Sequence, residues 1–453
     1  MKITFLLLFA TAALVGATSL ALSARTTPAD AASAEPVQLR IDVDRSVLPA
    51  EKIDRAVIKI SLDGIKPSRR ELRPPVNLAI VIDRSGSMSG EKIEKACEAA
   101  LEAVRQLAPD DLVALIAYDS RVETLVPAQR VGDRRRLEAA IRSIEATGNT
   151  ALYGGVQRGA SELRRALEDG RYINRIILLS DGQANVGPSS PEELGQLGAA
   201  LMREGISVST VGLGLGFNED LMTRLAQRSD GNTYFVEDSA DLPRIFAAEL
   251  GDVLSVVARR VVIEVEFPEG VRPLNFIGRD GSVTGQRAEL TLSQIYGGQE
   301  KFALVEVEVS PTKAGKEREI ARALVNYEDP LNQSRRTLTA VRSVEFSPNA
   351  KTVVSSADHR VQADYAANVM ATAKDEAVAL VDSNRRDEAG ALLRERAAEL
   401  AKLGATYNNA AVQSVAVPAA AEAARFERDG LGNSERKAYR AESAQTKNQQ
   451  SSR

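Results

Sequence analysis

One cysteine and one histidine are all that 453 residues hold of the two most reactive side-chain types. The lone thiol, Cys97, cannot close an internal disulfide, so stability has to come from packing rather than covalent staples. It lies on the stripe Ile93, Ala96, Cys97, Ala100, Leu101 and Val104, which marks it as a small core residue. The lone histidine, His359, falls in a polar connection and reads as a surface loop residue. A serine hydrolase needs a histidine base beside its nucleophile, and none is available. The segment "GSMSG" also fails the G-x-S-x-G elbow, because Met88 stands at its centre. Charge of one sign is lacking too. The net charge is −4 with both signs mixed along the chain, and no large basic face offers itself to nucleic acid. The run Arg134–Arg136 reads as the solvated first turn of a helix.

Long apolar runs are scarce. The only one approaching membrane length extends from Ile3 to about Leu22, behind Lys2 and ahead of the small-residue segment Ala32-Ser33-Ala34. Residues 1–34 are therefore expected to be a signal peptide, with Ser23 or Ala24 as an earlier cut, or an uncleaved N-terminal anchor. On either reading the remainder is exported, to the periplasm or outside the cell. Membrane contact is expected only through this segment if it stays attached. No cysteine stands just after the run, so a lipoprotein anchor is not expected.

The rest of the chain changes rhythm three times. Residues 35–75 alternate: Val37, Leu39, Ile41 and Val43 are separated by polar residues, and "RAVIKISLDG" follows as a second half-buried strand. Pro67, Pro74 and Pro75 mark a linker. From 76 to 254, short apolar runs ("VNLAIVI", "LVALIAY", "RIILLS", "ISVSTVGLG") alternate with helical segments over residues 91–107, 133–146 and 191–204. That grammar predicts a doubly wound, mostly parallel α/β sheet covered on both faces. "RVETLVPA" follows its predecessor too closely for a helical crossover and predicts one antiparallel edge strand. Alternation returns over 255–348, predicting an antiparallel β unit. Pairing that unit with the first strands would make the α/β domain an insertion in a β sandwich. Residues 355–404 read as a helical hairpin, and 405–453 as a largely disordered tail.

The chemistry gathers at strand ends. In a doubly wound sheet, ligands bind at the carboxyl ends of the strands, where strand order reverses. The first strand of the α/β region ends in Asp83, and Ser85 and Ser87 follow at alternate positions, with Gly86 between them. The strand "RIILLS" ends in Ser180-Asp181-Gly182, and "TGNTALYGG" places Thr150 in a small-residue loop before a helix. Two carboxylates and three hydroxyls make a hard-oxygen set suited to Mg²⁺, Ca²⁺ or Mn²⁺. Asp119, at another strand end, reads as a turn residue. "GLGLGF" at residues 212–217 lacks the third glycine of a dinucleotide fingerprint, Phe217 standing in its place, and reads as a flexible strand-end loop. No Walker A sequence is present.

"VIDRSGSMSG", "GNTALYGGV" and "LLSDGQAN" together resemble the three parts of the metal-ion-dependent adhesion site of von Willebrand factor type A domains. The resemblance covers residues 76–254. Position by position it implies Asp83, Ser85 and Ser87 as the first motif, Thr150 as the second and Asp181 as the third. It implies a bound divalent cation, Mg²⁺ ahead of Ca²⁺ or Mn²⁺, that grips an acidic residue of a partner protein, and no enzymatic activity. The flanking strands and hairpin resemble a bacterial exported group labelled calcium-activated chloride channel homologues, although pore-forming helices are lacking. The expected function is therefore protein–protein interaction in the cell envelope. The alternative is a structural or regulatory subunit of a membrane transport or channel complex, its metal serving the fold only.

Overall fold

The computed structural model describes residues 35–66, 73–132 and 134–450. The leader read over residues 1–34 lies outside them, as do Pro67 of the linker, Asp133 at the start of a predicted helix and the last three residues of the tail. Among the described residues no helix is long and apolar enough to cross a membrane.

Three strands come first: β1 (Val37–Val43), β2 (Val47–Pro49) and β3 (Asp54–Gly64). The α/β domain follows as β4 (Val76–Asp83), α1 (Glu91–Gln106), β5 (Leu112–Tyr118), β6 (Val122–Arg130), α2 (Arg134–Arg142), α3 (Leu152–Arg164), β7 (Ile173–Ser180), α4 (Pro191–Arg203), β8 (Ile206–Leu213), α5 (Glu219–Arg228), β9 (Thr233–Val236) and α6 (Leu242–Val253). Its six strands lie in the order β6-β5-β4-β7-β8-β9. All run parallel except β6, the edge strand that the short connection predicts. The central strands β4, β7 and β8 are buried at every position, because helices cover both faces. Leu78, Ile80 and Ile82 of β4 pack with Ala100 and Val104 of α1 and Phe246 and Leu250 of α6. Ala79 and Val81 face the other way, toward Val156 of α3, Leu194 of α4 and Leu225 of α5.

The chain then adds β10 (Val256–Glu266), β11 (Val271–Ile277), β12 (Ser282–Thr284), β13 (Arg287–Tyr296), β14 (Glu300–Val309), β15 (Glu317–Asp329) and β16 (Ser334–Ser347). They form a four-stranded sheet, β1-β3-β14-β11, and a six-stranded sheet, β12-β13-β10-β15-β16-β2. Strands from both sides of the α/β domain thus share each sheet, and that domain is an insertion between β3 and β10. Ile58 and Ile60 from before the insertion share one core with Ile263 and Val325 from after it.

Four expectations fail here. The strand "RAVIKISLDG" is not half-buried, since Lys59 and Ser61 on its polar face are covered. Five helices follow the sandwich: α7 (Ala350–Ser355), α8 (His359–Asp382), α9 (Arg386–Tyr407), α10 (Ala410–Asp429) and α11 (Asn433–Lys447). Val361 of α8 packs on Val57, Phe302 and Leu304, while Asp364 accepts a hydrogen bond from Lys59. The tail is not disordered either, because residues 410–447 are almost wholly helical. The apolar stripe of α10 is Val412, Ala416, Ala419, Ala423 and Phe426, all buried. Its alanines favour helix strongly but add little hydropathy, so composition understates the segment. His359 opens α8 behind the Asp358 cap rather than lying in a loop. Cys97 is half-buried, not fully buried; its thiol donates to the Ile141 carbonyl, and burial pushes it up to about 11.

One buried polar cluster joins the α/β domain to the sandwich. Arg175 of β7 donates to Ser209 Oγ (3.0 Å), Gln294 Oε1 (2.7 Å) and Tyr296 Oη (2.6 Å). Glu249 of α6 lies 3.6 Å from it, and both side chains are fully buried. Asn232 and Tyr234 donate to the second carboxylate oxygen of Glu249. Removing the guanidinium leaves a buried, uncompensated carboxylate, so Arg175→Met should cost about 3–5 kcal/mol. Urea denaturation of the full chain measures this, and a loss under about 1 kcal/mol would refute the account.

Candidate metal centre

Strand order reverses beside β4, which hydrogen-bonds β5 on one side and β7 on the other. The carboxyl ends of β4 and β7 therefore meet, with Ile82 opposite Leu179. Asp83 closes the first strand and Ser180-Asp181 continues the second, so two acids distant in sequence are forced together.

The loop after Asp83 is held from three sides. Met88 is fully buried and anchors it in the core beneath α1. Arg84 donates its amide to the Tyr118 carbonyl (2.8 Å), and its own carbonyl accepts from the Thr147 amide (2.6 Å). The Gly86 amide donates to the Gly148 carbonyl (3.0 Å). These bonds stitch the first motif to the end of β5 and to the loop that carries Thr150. That loop is fixed in turn by the Asn185 side chain, which accepts from the Thr150 amide (2.9 Å).

All five oxygen-bearing residues singled out in the sequence come together. Ser85 Oγ and Ser87 Oγ are 3.1 Å apart, and Ser87 Oγ donates to Asp181 Oδ1 (2.7 Å). Thr150 joins them across Gly182. A methyl group at Gly182 would lie 3.1 Å from Thr150 Oγ1, 3.4 Å from Ser87 Oγ and 3.8 Å from Ser85 Oγ. Asp83, Ser85, Thr150 and Asp181 are buried, and Ser87 and Gly86 are exposed. The result is a cup with one open side.

The Asp83 carboxylate accepts from neutral donors, the Ser85 amide (2.8 Å) and the Ser180 hydroxyl (2.6 Å). Burial pushes its pKa above the usual carboxylate range; those hydrogen bonds offset part of the rise, and the charge of Asp181 adds to it. Asp181 meets the Lys92 ammonium, which also donates to the Ser87 carbonyl (3.3 Å). The donor set fits a hard divalent ion: clustered carboxylate and hydroxyl oxygens, and a cationic group already resting on one acid. Among the described residues no three His, Cys, Asp or Glu side chains are grouped to hold a metal. An ion here depends on the hydroxyls.

Sequence reasoning missed four contributors. Ser180 and Asn185 position the motif residues, and both stand within four places of Asp181. Lys92 carries a signal of its own, a cation in the first turn of a helix. Gly216 approaches so closely that a Cβ would lie 2.6 Å from the Asp181 carbonyl oxygen. The loop of residues 212–217 thus braces the third motif and is packed, not slack: Gln183 donates to the Gly216 carbonyl. Asp119 performs turn chemistry, accepting from the Arg121 amide and from the Arg84 guanidinium, and stands beside the site without joining its oxygens.

The fold and this cup define a doubly wound α/β domain with a hard-oxygen site at its topological switch point. The von Willebrand factor type A model matches residues 77–248, and this chain carries a domain of that type. The chain is 26% identical over 275 residues to the uncharacterized protein sll0103 of Synechocystis, covering 58% of this chain and 64% of that one. It is 27% identical to the uncharacterized protein YfbK of Escherichia coli over 47% of this chain and 37% of the other. It is 30% identical to human inter-alpha-trypsin inhibitor heavy chain H3 over 43% of this chain and 22% of the other. The chain thus spans less than two thirds of the length of these relatives. In fold it is similar to the von Willebrand factor type A protein of Catenulispora acidiphila (TM-score 0.64, 17% identity, 85% of this chain and 90% of that one). It is also similar to the ArnB paralog VWA2 of Sulfolobus acidocaldarius (TM-score 0.57, 16% identity, 91% and 98%).

Gly182→Ala tests the convergence, since its methyl group would occupy the point that the three hydroxyls face. Metal-free stability should change by less than about 1 kcal/mol, while stabilisation by MgCl₂ should fall by half or more. Differential scanning calorimetry with and without MgCl₂ reads both.

Proposed function

We propose that this protein is a non-enzymatic, exported binding protein that holds a divalent cation in the cup and uses it to grip an acidic side chain of a partner in the cell envelope. The observation that carries the reading is the make-up of the cup: two carboxylates, only one of them paired with a cation among the described residues, and three neutral hydroxyls around one opening. Asp83, Ser85, Ser87, Thr150 and Asp181 would hold the ion. A bound Mg²⁺ would supply a coordination position, otherwise filled by water, for a partner carboxylate. The chain's residues do the rest. The hydroxyls provide oxygens without cancelling charge, which leaves the centre electrophilic. Met88 and the backbone bonds of residues 84, 86 and 147 fix the loop, so its oxygens are arranged before the ligand arrives. Export rests on the leader read over residues 1–34 and on the resemblance of the flanking strands to calcium-activated chloride channel homologues.

The test pairs stability with capture. Saturating MgCl₂, at about 100 times its Kd, should stabilise the full chain by about 2.7 kcal/mol, and EDTA should reverse the gain. Asp83→Asn keeps one acceptor for the Ser85 amide and removes a desolvated charge, so metal-free stability should hold while the gain from MgCl₂ disappears. A pulldown from an envelope fraction should lose its partner with chelator or with Asp83→Asn. Undiminished capture by folded Asp83→Asn would refute the reading.

A further inference from the structure

We propose that Lys92 is a tethered competitor for the metal position, an internal cation that neutralises Asp181 when the ion is absent and must swing away when it binds. The proposal rests on the metal-binding reading above and concerns the residue that sets its threshold. Lys92 occupies the second position of α1, whose first residue is Glu91. The N-terminal end of a helix is electropositive, so an ammonium there is disfavoured unless anions hold it. Two groups do. The ammonium meets Asp181 Oδ2 and donates to the Ser87 carbonyl at 3.3 Å. Asp181 Oδ1, the other oxygen of the same carboxylate, accepts from Ser87 Oγ, one of the cup's own hydroxyls. The lysine charge therefore sits within one carboxylate of the oxygens that would ligate the ion.

Both the stem and the surroundings permit movement. Asp181 is fully buried, whereas 36% of the Lys92 side chain is exposed, so only the lysine can leave toward water. Its flank is lined by Gly214, with φ of 68°, where a methyl group would lie 3.9 Å from Lys92 Cε and Nζ. The missing side chain leaves space beside the lysine stem, and the left-handed backbone at Gly214 favours glycine. With the divalent ion absent, Asp181 would otherwise be a buried carboxylate with no cation, a costly state. Lys92 removes that cost in the metal-free protein and thereby makes the ion displace a charge already present. Like-charge repulsion inside a mostly buried cup means that ammonium and metal cannot share Asp181 without loss. Lys92 thus holds the site empty until the divalent ion is plentiful.

Isothermal titration of the full chain with MgCl₂ and MnCl₂ tests this through Lys92→Met, which keeps the length of the stem and removes the charge. The variant should bind both ions five- to twenty-fold more tightly, while its metal-free urea midpoint falls. Lys92→Arg retains the charge and should stay within about twofold of the wild-type affinity. Equal or weaker metal binding by folded Lys92→Met overturns the proposal, as does a metal-free midpoint that rises. Failure of the wild-type chain to bind either ion would instead overturn the metal-binding reading itself, so the two failures are distinguishable.

Discussion

The parallel pairing of β4 with β7 is the constraint on which the site depends. The two strands are separated by nearly a hundred residues of chain, yet they hydrogen-bond along their whole length. That register ends both strands on the same edge of the sheet and sets Asp83 beside the Ser180-Asp181 pair. The Ser180 hydroxyl bridges directly to Asp83. Two buried acids at such close quarters repel, and nothing in their own strands removes the charge. The surrounding hydroxyls, the backbone amides and Lys92 are what the fold provides, and they leave room for a stronger cation.

The sandwich gives that sheet a fixed base. Arg175 sits in the middle of a buried polar cluster and reaches from β7 into β13 through Gln294 and Tyr296. Glu249 brings α6 into the same cluster. The inserted domain is therefore tied to its host by directional, charge-assisted hydrogen bonds. Buried bonds of this kind specify one orientation, since any rotation would strand a buried charge.

The last helix reaches the site from the far end of the chain. Asn433 of α11 donates to the Leu215 carbonyl (3.0 Å), and Lys437 donates to the Phe217 carbonyl and to Glu219. Lys437 is almost fully buried, with its ammonium 4.2 Å from the centre of the Phe217 ring. The loop gripped in this way is the one that presses on the backbone of Asp181. Leu215, in the same loop, stays 45% exposed. The segment whose composition looked least able to fold thus braces the third motif.

Continuous apolar runs alternating with helices are legible because burial on both faces favours apolar residues along the strand, and β4, β7 and β8, buried at every position, are mostly apolar. The edge strand β6 is legible from the length of its connection, and the inserted arrangement from the alternation that resumes after residue 254. The five oxygen-bearing residues are legible because strand ends are where a doubly wound sheet exposes its ligands. What lies beyond local pattern is what neighbours decide. The polar face of β3 is covered because α8 lies over it, and α11 is ordered because its charges find Glu219, Asp220 and Asp382. Ser180, Lys92 and Gly216 look ordinary in one dimension and act only through what they touch. The sequence by itself determined the elements and the kind of oxygen at the site, because periodicity and residue chemistry are local properties. Only the tertiary structure decided which polar residues are paired, buried or free to move, because pairing energy depends on distance between groups far apart along the chain.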